Sequence, residues 1–113
     1  MPFINTKYSK TISPAEEEQI KSALGKAVSV LGKTESWLMV GFEQKCSLYF
    51  RGEKAEKLAF VDVSLYGRAE PPACDRMTAE ICRIYGEVLG IPADHIYVKY
   101  TPTDNWGWNG GNF

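Results

Sequence analysis

The architecture that this 113-residue sequence predicts is a tandem β-α-β repeat, folded as one α/β (α+β) domain with a four-stranded mixed sheet and two helices on one face. Three observations carry that prediction. Two segments space their apolar residues as a helix does, and the segments between them are rich in β-branched and aromatic residues. The chain also matches itself when slid by about 58 positions, which divides it into halves of about 1–57 and 58–113.

The elements follow in order. "FINTKY" reads as the first strand, led in by Pro2, a residue tolerated at a strand start because it has no backbone N–H to donate. In "SPAEEEQIKSALGKAVSVLG", Ile20, Leu24, Ala27, Val28 and Leu31 recur at spacings of three and four, which puts them on one helical stripe. Ser13 is placed to cap this helix, Pro14 suits its first turn, Glu16 stands where a capping box wants a carboxylate, and Gly32 stops it. "SWLMVGFE" is the next predicted strand, and "CSLYF" is expected to add a short hairpin arm before Arg51 and Gly52. "KLAFVDVSLY" opens the second half. The helix "PPACDRMTAEICRIYGEVLG" follows, with Met77, Ile81, Ile84, Tyr85, Val88 and Leu89 as its stripe and Gly90 as its end. "HIYVKY" closes the repeat, with His95 aligned on Trp37 and expected at a strand start. Each half joins two strands through a crossover helix, so each pair is predicted parallel.

Composition narrows the function classes. Thirteen Lys and Arg against fourteen Asp and Glu give a net charge of −1, scattered along the chain, which is not the footprint of a nucleic-acid or anionic-membrane binder. No apolar run approaches the roughly 18 residues that suggest a membrane span. The first residues lack the basic and apolar regions of a signal peptide, so the expected compartment is the cytoplasm. Cys46, Cys74 and Cys82, with no CxxC pair and His95 as the sole histidine, predict reduced structural thiols rather than a disulfide framework or a zinc site. The acidic run Glu16 to Glu18 reads as a solvated helix start favoured by the dipole. Aromatic residues make up 12% of the chain, and two helices cover only one side of a sheet. A large apolar patch is therefore expected on the other side, and with it a closed symmetric oligomer.

Six stretches carry a family likeness along the whole length: "MPFI" at the start, "LGK" with Trp37 four residues after Lys33, "YFRG", "SLYG", "IYVKY" and the ending "GWNGGNF". In their order and spacing the chain resembles the macrophage migration inhibitory factor and D-dopachrome tautomerase group of the tautomerase superfamily. The resemblance implies a homotrimer whose sheets surround a central channel, with active sites at the subunit interfaces. It also implies a keto-enol tautomerase of small aromatic α-keto acids, an isomerase of the phenylpyruvate or dopachrome kind that needs no metal or cofactor.

The same resemblance assigns residues. Removal of Met1 exposes the Pro2 nitrogen as the catalytic base, which must be kept neutral; burial and a nearby cation both disfavour its charged form. Lys33 matches the lysine that binds the substrate carboxylate, Tyr66 stands where a backbone amide binds substrate, and Tyr97 matches a tyrosine given by the neighbouring subunit. Trp37, Trp106 and Trp108 fall in the aromatic rim, suited to stacking a phenyl or indole ring. Lys99 replaces a customary asparagine and places a second cation where it strengthens carboxylate binding or changes which substrates fit. Leu58 and Val61 occupy the positions of the animal proteins' CxxC, so a thiol oxidoreductase role does not carry over. The alternative implied by the same likeness is a cytokine-like or host-mimicking protein, which leaves the cell without a signal peptide and binds a cell-surface receptor while its pocket is vestigial.

Overall fold

The computed structural model describes residues 1–113. The chain runs β1 (Pro2–Tyr8), α1 (Pro14–Ala27), β2 (Met39–Glu43), β3 (Ala59–Tyr66), α2 (Pro71–Leu89), β4 (Ile96–Thr103), then a small terminal hairpin of β5 (Gly107–Trp108) and β6 (Gly111–Asn112). The four long strands form one sheet in the order β2-β1-β3-β4. β1 lies parallel to β2 and β3 parallel to β4, while β1 and β3 meet antiparallel at the centre. Two β-α-β units thus share one mixed sheet, and α1 packs beside α2.

Local chemistry accounts for the helix ends. Ser13 accepts the backbone N–H of Glu16, and the Glu16 carboxylate accepts the N–H of Ser13, so two otherwise unpaired donors are satisfied. At the far ends Gly32 and Gly90 both adopt positive φ, 73° and 70°, a backbone state that costs glycine little. Before Gly32, however, the last turn tightens into a 3-10 segment, Val28–Leu31, where the sequence predicts continuous α-helix. The predicted stripes face inward: Ile20, Leu24 and Leu31 of the first half and Met77, Ile81 and Ile84 of α2 are buried in one cluster with Ile4, Val61 and Val63 of the sheet. Val88 is only half-buried.

Three expectations are corrected. Ser36 and Trp37 belong to a 3-10 turn, Glu35–Trp37, rather than to β2, and His95 ends the corresponding turn Ala93–His95 before β4. The "CSLYF" arm shrinks to a single bridge between Phe50 and Glu53, closed over Arg51 and Gly52, because no strand of this chain lies beside Ser47 to Tyr49. The third correction concerns the sheet face away from the helices, which is not an apolar patch. Its middle carries Asn5, Asp62, Ser64, Lys99 and Thr101, with an Asn5 to Glu43 hydrogen bond of 2.7 Å and a Lys99 to Asp62 ion pair of 3.5 Å. On this face the aromatic residues of β3 and β4, Phe60, Tyr66 and Tyr97, fall toward the strand ends, and the exposed large apolar residues of the chain are Trp37, Met39, Tyr49, Tyr97, Trp108 and Phe113. An exposed apolar sheet face therefore gives no reason for oligomerisation here.

Candidate functional site

The start of β1 and the end of β3 lie side by side, since Pro2 pairs with Leu65. Pro2 is buried in this register. One residue further on, the N–H of Tyr66 donates to the carbonyl of Met1 at 3.1 Å, and the carbonyl of Tyr66 accepts from Lys33 Nζ at 3.0 Å. Lys33 reaches this point because Gly32 turns the chain back at the end of the first helical segment, with the N–H of Lys33 still bonded to the carbonyl of Val28. The strand end therefore gathers a chain-terminal amine, a backbone amide donor and an ammonium. An ammonium carries three donors, and the Tyr66 carbonyl takes one of those on Lys33.

Electrostatics at this end favour a neutral amine. The Met1 amine is held below the usual α-amino range, first because it is partly buried and second because the Lys33 charge opposes its protonation.

Four aromatic rings form a row that ends at Tyr66. Trp37 meets Trp108 edge to face at 5.0 Å, Trp108 lies parallel to Phe113 with centroids 6.3 Å apart, and Phe113 packs on Tyr66 at 5.3 Å. The terminal hairpin builds this row. Its turn places Asn109 and Gly110 at positive φ, and the N–H of Phe113 bonds to the carbonyl of Trp106 at 3.1 Å, which brings the last residue back over the strand end. Of the three predicted rim residues, Trp37 and Trp108 join the row, whereas Trp106 enters it through its backbone. The ring of Tyr66 and the side chain of Phe113 were not expected there. The "WNGG" segment held the signal for Phe113, since Asn-Gly between extended residues favours a tight hairpin.

Tyr97 and Lys99 lie elsewhere in the same chain. Tyr97 pairs with Phe60, five register positions from Leu65, or roughly 17 Å along the strand. Its ring meets Phe50 edge to face at 5.4 Å and helps line a small apolar cavity of about 100 Å³ with Leu48, Tyr49, Leu58 and His95. His95 bonds Asp94 through Nδ1 at 2.7 Å, and that bond holds the Asp94 carboxyl below the usual carboxylate range. Lys99 pairs with Asp62. A single chain thus gathers Pro2, Lys33, Tyr66, Trp37 and Trp108 at one end and leaves Tyr97 and Lys99 apart from them. A depression of about 680 Å³ lies on the outer side of the helices between Gln19, Lys26 and Arg83 and contains none of these residues. The three cysteines are free thiols, and no helix is long and apolar enough to cross a membrane.

Comparison with known proteins places the fold. The sequence model for macrophage migration inhibitory factor matches residues 1–113. Among solved structures, Leishmania major MIF2 is 35% identical with a TM-score of 0.94, over 100% of this chain and 97% of that one. A macrophage migration inhibitory factor homologue from Prochlorococcus marinus is 27% identical with a TM-score of 0.87, over 98% of each chain. A fused 4-OT protein described as a wild-type symmetric trimer is 17% identical with a TM-score of 0.84, over 96% of this chain and 93% of that one. No curated protein sequence matches significantly.

Proposed function

The chain belongs to the macrophage migration inhibitory factor family, and from that membership we propose that it is a homotrimeric, cofactor-independent keto-enol tautomerase of small aromatic α-keto acids such as phenylpyruvate. The observation that carries this reading is the environment at the head of β1, where burial and the Lys33 charge together push a terminal amine toward its neutral form. Only a neutral amine accepts a proton.

With Met1 removed, the Pro2 nitrogen is a secondary amine held rigidly by its ring at this strand end. It takes a proton from the carbon next to the ketone. The C–H electron pair becomes the new C=C bond, and the proton is returned at the ketone oxygen, giving the enol. Departure of Met1 also frees the Tyr66 N–H, whose acceptor in the unprocessed chain is the Met1 carbonyl. A substrate oxygen takes that place, and the ammonium of Lys33 pairs with the substrate carboxylate beside it. Trp37, Trp108 and Phe113 pack on the substrate ring, with Trp106 anchoring the hairpin that carries two of them.

Tyr97 enters this scheme from a second copy of the chain, because within one copy it stands five register positions along the sheet from Pro2, and Lys99, two residues further on the same strand, comes with it. The trimeric state described for the fused 4-OT relative supports that arrangement. The test follows phenylpyruvate enolisation in protein lacking Met1 and in its Pro2→Gly variant. A positioned base contributes on the order of 10²–10⁴ in rate, so the variant is expected to lose at least about 100-fold. Equal rates in the two proteins would defeat the assignment.

A further inference from the structure

We propose that Asp62 is a positioning residue that sets which keto acids the site accepts, by holding the Lys99 ammonium back on the sheet face. The inference rests on the tautomerase reading above, in which Lys99 serves a neighbouring subunit's pocket. Three observations support it.

Asp62 and Lys99 are register partners on β3 and β4, and their charged atoms lie 3.5 Å apart. The same ammonium stands over the ring of Phe60, 5.8 Å from its centroid and on the face that Phe60 shares with Asp62. Lys99 therefore leans inward across β3, although β4 is the edge of the sheet and its outer side is free within this chain. The third observation is that Asp62 has no stronger claim on it from elsewhere. Its register partner on β1, Asn5, gives its amide to Glu43 at 2.7 Å, and Lys99 is the cation paired with Asp62.

Exposure makes this pair exchangeable. The Lys99 side chain is 57% exposed and that of Asp62 37%, so both keep contact with water and the pair holds only weakly. A substrate whose ring bears a second carboxylate draws Lys99 outward only by replacing Asp62. One carboxylate then substitutes for another, and the exchange is close to neutral. The wild-type site is accordingly expected to gain little from a second anion, and it favours keto acids with a single carboxylate. Without the Asp62 charge, Lys99 is unpaired and the second anion gains the whole interaction.

The experiment compares phenylpyruvate with its para-carboxylated analogue, measuring both dissociation constants by calorimetry in the trimer lacking Met1. Asp62→Asn is expected to shift the ratio toward the dicarboxylate by about three- to fivefold. Asp62→Glu keeps the charge and is expected to retain the wild-type ratio. Adding Lys99→Met to Asp62→Asn is expected to abolish the shift. In turnover the change should appear in KM rather than kcat. An unchanged ratio in Asp62→Asn, a shift that survives Lys99→Met, or failure of either acid to bind the wild-type protein overturns the inference. If both acids bind but Pro2→Gly turns over as fast as its parent, the tautomerase reading fails while the binding ratios still decide the role of Asp62.

Discussion

Thr6 and Tyr85 share a hydroxyl-to-hydroxyl hydrogen bond inside the core, where β1 meets α2, and both side chains are fully buried. Burial pushes the Tyr85 phenol up to about 12 from its usual 10, although the bond to Thr6 pulls the other way. The folded chain therefore keeps a proton that the unfolded chain gives up first. The resulting stability is fully present below about pH 10 and is lost as the pH climbs toward 12, a change of about 3 kcal/mol for a shift of this size. Tyr8 and Tyr100 are also raised, chiefly by burial, and add to the slope in the same direction. Tyr85→Phe is expected to cost about 1–3 kcal/mol at neutral pH, since it leaves the Thr6 hydroxyl unpaired. It should also flatten the alkaline loss. Urea midpoints measured at neutral pH and near pH 11.5 check both effects, and a variant as alkali-sensitive as the parent would refute the assignment. This core contact was not legible in the sequence. Tyr85 could be placed on the buried stripe, but the partner of its hydroxyl depends on how α2 is laid over β1.

The two helices begin by different means. α1 starts with the reciprocal Ser13 and Glu16 bonds, whereas Glu70, at the head of α2, makes no side-chain cap: Pro71 and Pro72 have no N–H to satisfy, and the N–H of Ala73 bonds the Glu70 carbonyl. Ser13→Ala is expected to cost about 1 kcal/mol and lower the melting temperature by roughly 4 °C. Glu70→Ala should stay within about 0.5 kcal/mol of the parent. Paired thermal melts test the contrast, and equal losses would show that the capping box is not what secures α1. Helices and long strands were legible because their periodicity extends over many residues, and caps and glycine stops bound them. The short elements were less so. The two 3-10 turns before β2 and β4 span three residues each, too few for a periodic signal, and "CSLYF" has β propensity without a neighbouring strand to pair with.

The whole molecule has to account for the gap between Pro2 and Tyr97, which lie at opposite ends of the sheet. If sites form between subunits, each contains Pro2 of one chain and Tyr97 of another. Pro2→Gly and Tyr97→Ala are then complementary: each alone is impaired, and an equal mixture refolded together regains up to about a quarter of wild-type activity, the statistical share of sites with both residues intact. A mixture that merely averages its parents would rule out shared sites. The polar open face supplies no apolar drive to assembly, so this test, together with native mass spectrometry for three chains per particle, bears on the trimer directly.

By itself the sequence determined the doubled β-α-β plan and the buried stripes, because these follow from local periodicity and backbone chemistry, while its ordered motifs pointed to the head of β1 only through the family resemblance. Only the tertiary structure decided that Tyr66 and Phe113 complete an aromatic row, that Lys99 leans on Asp62, and that the open face is polar. Each of these depends on strand register and on where the chain folds back, and such contacts join residues whose separation in sequence carries no record of their meeting.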